Sequence, residues 1–192
     1  ERTLMESEAV AESERCLYCD QLCDICVTVC PNRANVSYTV KPFEMRTQTA
    51  AFKKDGTQIF DDKIFKIEQS NQVLNIEDFC NECGNCTTFC PTSGAPYRDK
   101  PKVALTEKSF QAMEKGYFLN KGVLYYKEND VVSSLRESEK GFVFLSPDVD
   151  AELDSAFTIK TVEIKNRDIK WNTAIAIKMK IIGDAVRDLY ER

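Results

Sequence analysis

Two short cysteine runs, each closed by Cys-Pro, restrict this 192-residue chain more than any other feature. The second run reads Cys80-x2-Cys83-x2-Cys86-x3-Cys90-Pro91, and the first reads Cys16-x2-Cys19-x3-Cys23-x2-Cys26-x3-Cys30-Pro31. Thiolates at such spacing hold [4Fe–4S] clusters, because soft anionic sulfur suits iron and a short loop presents three sulfurs to one cluster. The fourth cysteine of a run begins a segment that points away, so it ligates the other cluster. The proline behind it donates no amide hydrogen bond and stiffens the exit. The runs therefore predict crossed ligation. Cys80, Cys83 and Cys86 share a cluster with Cys30, and Cys90 completes a cluster held from the first run.

Nine cysteines exceed eight ligand places by one, and the excess lies in the first run. Cys26 takes the third-ligand place by its spacing to Cys30. Two of Cys16, Cys19 and Cys23 supply the rest. Cys19 with Cys23 makes a compact loop with one extra residue. Cys16 with Cys19 makes a longer loop before Cys26, and we favour this pair while the first stays open. The spare thiol is an apolar filler or an exchangeable ligand.

Other uses of these cysteines fit less well. All-cysteine zinc sites usually pair two Cys-x2-Cys knuckles across a longer gap. A disulfide framework sits badly with an odd cysteine count and no secretion signal. Cys19-x3-Cys23-x2-Cys26 also matches a radical-SAM spacing, but that chemistry needs a larger barrel. The chain has no histidine, which removes Rieske-type ligation, mixed Cys/His zinc sites and Ser-His triads. No catalytic residue is expected, and the chemistry falls to a cofactor.

The formal charge of −5 argues against nucleic acid as a partner, since phosphate binding needs a basic patch. Apolar residues at 43% suffice for a core. No run nears the ~18 apolar residues of a membrane span, and no signal peptide opens the chain. A cytoplasmic location is expected. The chain begins at Glu1, as an excised fragment would.

Along the chain, residues 1–15 read as an acidic linker helix. Val36 to Val40 alternates like a strand, as do Ile59-Phe60 and Ile64 to Ile67, with a turn at Lys54-Asp55-Gly56. Val73 to Ile76 leads into the second run. The two halves thus form an internal repeat with an insertion at about 41–72. Pro91 to Pro101 reads as loop. Ser109 to Lys115 reads as a helix stopped by Gly116, and Asn120-Lys121-Gly122 as a hairpin turn. Gly141 to Leu145 and Phe157 to Ile164 are strand candidates. From Trp171 to Tyr190, apolar residues recur at helical spacing. Within the second loop, Gly84 is expected to let the backbone approach sulfur, and Arg33 could offset cluster charge.

Arg15-Cys16-Leu17-Tyr18-Cys19 resembles the cluster-binding region of glutamate synthase small chains. Residues 23–36 and 79–86 resemble more closely the C-terminal ferredoxin part of a family named as selenate reductase subunits. The resemblance covers residues 11–100 and is weak beyond. Together with the cysteine runs it implies an α+β fold with a two-cluster bacterial ferredoxin-like domain at 16–100 and an inserted strand region, while the strand and helix patterns beyond predict a mixed α/β C-terminal part at 101–192. The resemblance also implies an electron-transfer module within a larger oxidoreductase, with FAD and NAD(P) bound upstream of these residues. No Gly-x-Gly-x-x-Gly occurs in the chain itself. The partner would be a flavoprotein or a molybdenum enzyme. No residue of the chain supports selenate chemistry.

Overall fold

The computed structural model describes residues 3–13, 23–54 and 56–190. Cys16 and Cys19 lie outside the described residues. Helix α1 covers Glu6–Ser13, within the stretch read as a linker helix.

Strand β1 (Asn35–Thr39) leaves the first cysteine run and pairs antiparallel with β4 (Asn71–Ile76), which leads into the second. Between them lies a long hairpin of β2 (Phe43–Lys53) and β3 (Gly56–Ile67). A 3-10 turn at Glu77–Phe79 separates β4 from Cys80. The sheet then continues without a break. Strand β5 (Lys102–Ala104) adds parallel to β4, and β6 (Lys115–Asn120) parallel to β5. An antiparallel meander follows through β7 (Val123–Glu128), β8 (Val131–Ser138), β9 (Gly141–Leu145), β10 (Val149–Leu153) and β11 (Ile159–Ile164). The strand order is β1-β4-β5-β6-β7-β8-β9-β10-β11. A second sheet, β12-β2-β3, joins β12 (Lys170–Asn172) to the inserted hairpin. Residues 101–192 therefore hydrogen-bond to the cysteine-bearing part through both sheets.

The shorter helices are α2 (Ile25–Thr28), α3 (Asn85–Thr88), α4 (Pro96–Asp99) and α5 (Glu107–Ala112). Helix α6 (Ala174–Tyr190) lies across β6, β7 and β8. Its buried stripe includes Ala176, Met179, Gly183 and Val186, spaced by three or four residues as on a helix facing a core, with Ile177 and Ile182 alongside. Phe144, Leu74 and Val103 complete that core, and Trp171 sets its ring 5.0 Å from Phe144.

Three local expectations shift. Trp171 belongs to β12, paired with Ala50, and not to the terminal helix. The helix begins later because the Asn172 side chain accepts the Ala174 N–H at 2.8 Å, capping the first turn. Gly116 is the second residue of β6 rather than a helix stop. Helix α5 starts at its Thr106 cap, whose hydroxyl accepts the Ser109 N–H at 3.1 Å, and ends as Met113 turns extended. Pro96 opens the four-residue helix α4 in a stretch read as loop, the position where a missing N–H costs nothing.

Candidate metal centre

From Asp24 and from Gly84 onward, the two cysteine runs fold alike, hydrogen bond for hydrogen bond. Cys23, Cys26 and Cys30 precede Cys83, Cys86 and Cys90 by a constant sixty residues. Val27 N–H donates to the Asp24 carbonyl at 2.9 Å, and Thr87 N–H to the Gly84 carbonyl at 2.9 Å. Thr28 and Thr88 repeat this at 3.0 Å each, and their hydroxyls bond the same two carbonyls at 3.2 and 3.3 Å. After each Cys-Pro, Arg33 and Ser93 take left-handed conformations (φ 53° and 57°) and donate to the Cys30 and Cys90 carbonyls at 3.2 Å. That turn aims the next amide at sulfur. Ala34 N–H lies 3.2 Å from Cys30 Sγ, and Gly94 N–H 3.2 Å from Cys90 Sγ.

The halves also meet. Helices α2 and α3 pack together, burying Cys26 and Cys86 in one small cluster with Val73. Cys30, Cys80, Cys83 and Cys86 line a single cavity, three from the second run and one from the first. Asn35, on the same wall, donates from Nδ2 to the Cys26 carbonyl at 2.9 Å and accepts from Asn75 Nδ2 at 2.9 Å. Both asparagines are buried, on facing positions of β1 and β4. They tie the first loop to the strand that leads into the second. These two residues went unnoticed in the sequence. The signal was there, since Asn75 interrupts Val73-Leu74-Asn75-Ile76, and asparagine is disfavoured in strands.

Electrostatics separate the thiols. Burial pushes the Cys26 thiol up, and the Lys100 ammonium opposes it. Cys90 is held below the ordinary thiol range by the Thr92 hydroxyl and by the Thr92 and Gly94 amides, with Lys100 assisting. Lys100 thus acts on one cysteine from each run, Cys26 from the first and Cys90 from the second. Asp78 anchors the entrance to the second loop, accepting Leu105 N–H and the Ser109 hydroxyl, each at 2.7 Å. Gly84 has φ +81°, and no protein atom lies within 4 Å of where its Cβ would stand. Its left-handed backbone favours glycine.

The donor set is all sulfur, soft anionic ligands of the kind that hold iron–sulfur clusters. Among the described residues, none of the seven cysteines is in a disulfide. No three Cys, Asp or Glu side chains among them converge on a single-ion position. Tetrahedral zinc draws four sulfurs to ~2.3 Å from one point, whereas a cubane spreads its outer thiolates around a wider body.

No family profile matches the chain, and no solved structure matches it. Over 108 residues, 56% of the chain, it is 39% identical to proteins named "Putative oxidoreductase YgfK" in Escherichia coli strain K12 and Escherichia coli O157:H7. The match spans 8% of the length of each relative. The chain is related, over that stretch, to part of a protein named as an oxidoreductase. No helix among the described residues is long and apolar enough to cross a membrane.

Proposed function

We propose that this chain carries two [4Fe–4S] clusters on a ferredoxin-like core and relays single electrons within a larger oxidoreductase. The donor would be a flavin reduced by NAD(P)H on a partner domain or subunit. The acceptor would be a second redox centre, a molybdenum enzyme among the candidates. One observation carries the reading: Cys30 crosses from the first run to line one cavity with Cys80, Cys83 and Cys86. Those four form one ligand set.

The second set is Cys19, Cys23, Cys26 and Cys90. It departs from the pair favoured on spacing, Cys16 with Cys19. The sixty-residue correspondence puts Cys23 in the place of Cys83, with an identical turn on its C-terminal side. Cys19 is then one residue beyond the place of Cys80, and Cys16 is the spare thiol.

A cluster of this kind supplies reversible one-electron chemistry at a potential set by hydrogen bonds to sulfur, charge and exposure. The chain's own residues control those three settings. The Ala34 and Gly94 amides donate toward sulfur, which favours the more reduced, more negative state. Lys100 adds positive charge beside Cys26 and Cys90. Phe79 and Phe89, exposed next to Cys80 and Cys90, offer apolar contact to a redox partner. The proposal stops at the relay and assigns no substrate chemistry to the chain's own side chains.

Anaerobic purification tests this directly. The expected protein is brown, with roughly eight iron and eight sulfide per chain. A colourless, folded protein with stoichiometric zinc would sink the reading. Crossed ligation has its own test in double variants. Cys30→Ala with Cys83→Ala strikes one cluster twice and should leave roughly four irons. Cys23→Ala with Cys83→Ala strikes both and should leave almost none. Equal losses in the two double variants would refute the crossing.

A further inference from the structure

A cavity much larger than the one between the cysteines lies elsewhere among the described residues. It measures about 880 Å³ and opens between α6, the β1, β3 and β7 strands, and the segment around α4 and β5. That is the upper part of the range for small-molecule sites, ~300–1,000 Å³. Its walls are of two kinds. One is aromatic and apolar. Tyr117 and Tyr126 stand 4.7 Å apart between ring centres, with Tyr38, Ile181 and Ile182 beside them. The hydroxyls of Tyr38 and Tyr117 make no hydrogen bond among the described residues, which leaves both donors for a ligand.

The other wall is basic. Six Lys and Arg side chains line the cavity against four carboxylates, in a chain whose net charge is −5. The carboxylates are largely engaged. Glu77 and Glu82 hold Lys102 at 2.7 and 3.5 Å, and Asp99 accepts the Ala95 N–H at 2.6 Å. Lys100 and Lys178 make no ion pair among the described residues. Ammonium groups outside any ion pair, beside a half-buried aromatic surface, favour a ligand that joins a ring to a negative charge.

We propose that this cavity binds an anionic aromatic small molecule, its ring against Tyr117 and Tyr126 and its phosphate or carboxylate neutralised by Lys100 and Lys178. Glu82 belongs both to this cavity and to the one lined by Cys30, Cys80, Cys83 and Cys86. The binding claim does not depend on the clusters.

The test uses the full chain and three probes: 1-naphthyl phosphate, 1-naphthol and inorganic phosphate. Naphthyl fluorescence should saturate with 1-naphthyl phosphate. Each of the other two, lacking ring or charge, should bind at least about tenfold more weakly. Lys178 is exposed on α6, so Lys178→Glu should keep the unfolding midpoint and lose about tenfold in affinity. Lys140→Glu, the same charge change at an exposed position outside the cavity, should leave affinity unchanged. The proposal fails on any of three results. One is no saturation by about 1 mM, a weak-binding limit worth only ~4 kcal/mol. Another is equal affinity for 1-naphthol and its phosphate. The third is a Lys178→Glu affinity that matches wild type or falls no further than that of Lys140→Glu.

Discussion

Cys23→Ala is expected to halve the iron of the anaerobically purified chain, from roughly eight atoms to roughly four, while Cys16→Ala keeps the full complement. Iron and acid-labile sulfide measured per chain decide it. The repeat is the reason. Asp24 to Ala34 and Gly84 to Gly94 share their backbone hydrogen bonds, their left-handed third residue after cysteine, and their amide-to-sulfur contact. A thiol immediately before one of these turns occupies the same place as the thiol before the other. Cys23 stands there in the first run as Cys83 does in the second. The converse result, with iron halved by Cys16→Ala and untouched by Cys23→Ala, would restore the longer loop of Cys16 and Cys19.

The second large effect concerns stability. Gly141→Ala is expected to cost about 3 kcal/mol or more, which for a chain of this size lowers the unfolding midpoint by roughly 6–12 °C. Gly141 opens β9 with φ +141°, where an L side chain is strained. Its Cβ would collide with the Leu153 carbonyl oxygen and stand 2.6 Å from the Asp154 carbonyl carbon. Those are backbone atoms of and beside β10, and Leu153 is paired with Phe142 in the adjoining ladder. Relief therefore requires breaking sheet hydrogen bonds rather than turning a side chain. Gly84→Ala gives the comparison. It shares the positive φ but meets no protein atom, so it should cost only about 1 kcal/mol in the unloaded protein. Thermal melts of both variants check the difference, and equal costs would remove the collision argument.

Much of the fold was legible where local chemistry is strong. Lys121-Gly122, both left-handed, joins β6 to β7 with two residues, as the turn signal indicated. Gly141 to Leu145 is a strand with the boundaries read from sequence. The apolar spacing of α6 was also plain, yet Trp171 at its head went to a strand. Tertiary pairing with Ala50 and the Asn172 cap outweighed the periodicity there. What no local signal carries is how distant strands pair. Nothing in Lys170 to Asn172 announces a partner more than a hundred residues earlier, and nothing in Lys102 to Ala104 announces parallel addition to β4.

The candidate site divides along the same line. Residue types and spacing pointed to the cysteines. They favoured Cys16 with Cys19 and left Cys19 with Cys23 open, because counting gaps takes no account of the turn that follows each cysteine. Nor did they find Asn35, Asn75 or Lys100, whose importance comes from the partners that folding brings to them.

The pairing of Trp171 with Ala50 also sets an order of events during synthesis. At about 5–20 residues per second, β12 leaves the ribosome roughly 6–24 seconds after the strand it must join. All nine thiols, β1 and β4 are made before β12 exists. For that interval the inner edge of β2 has no neighbour on one side, while the strands that bracket the second cysteine run can already pair. The nascent chain can thus present its thiols on a formed edge of sheet while the rest of the sheet is still being made.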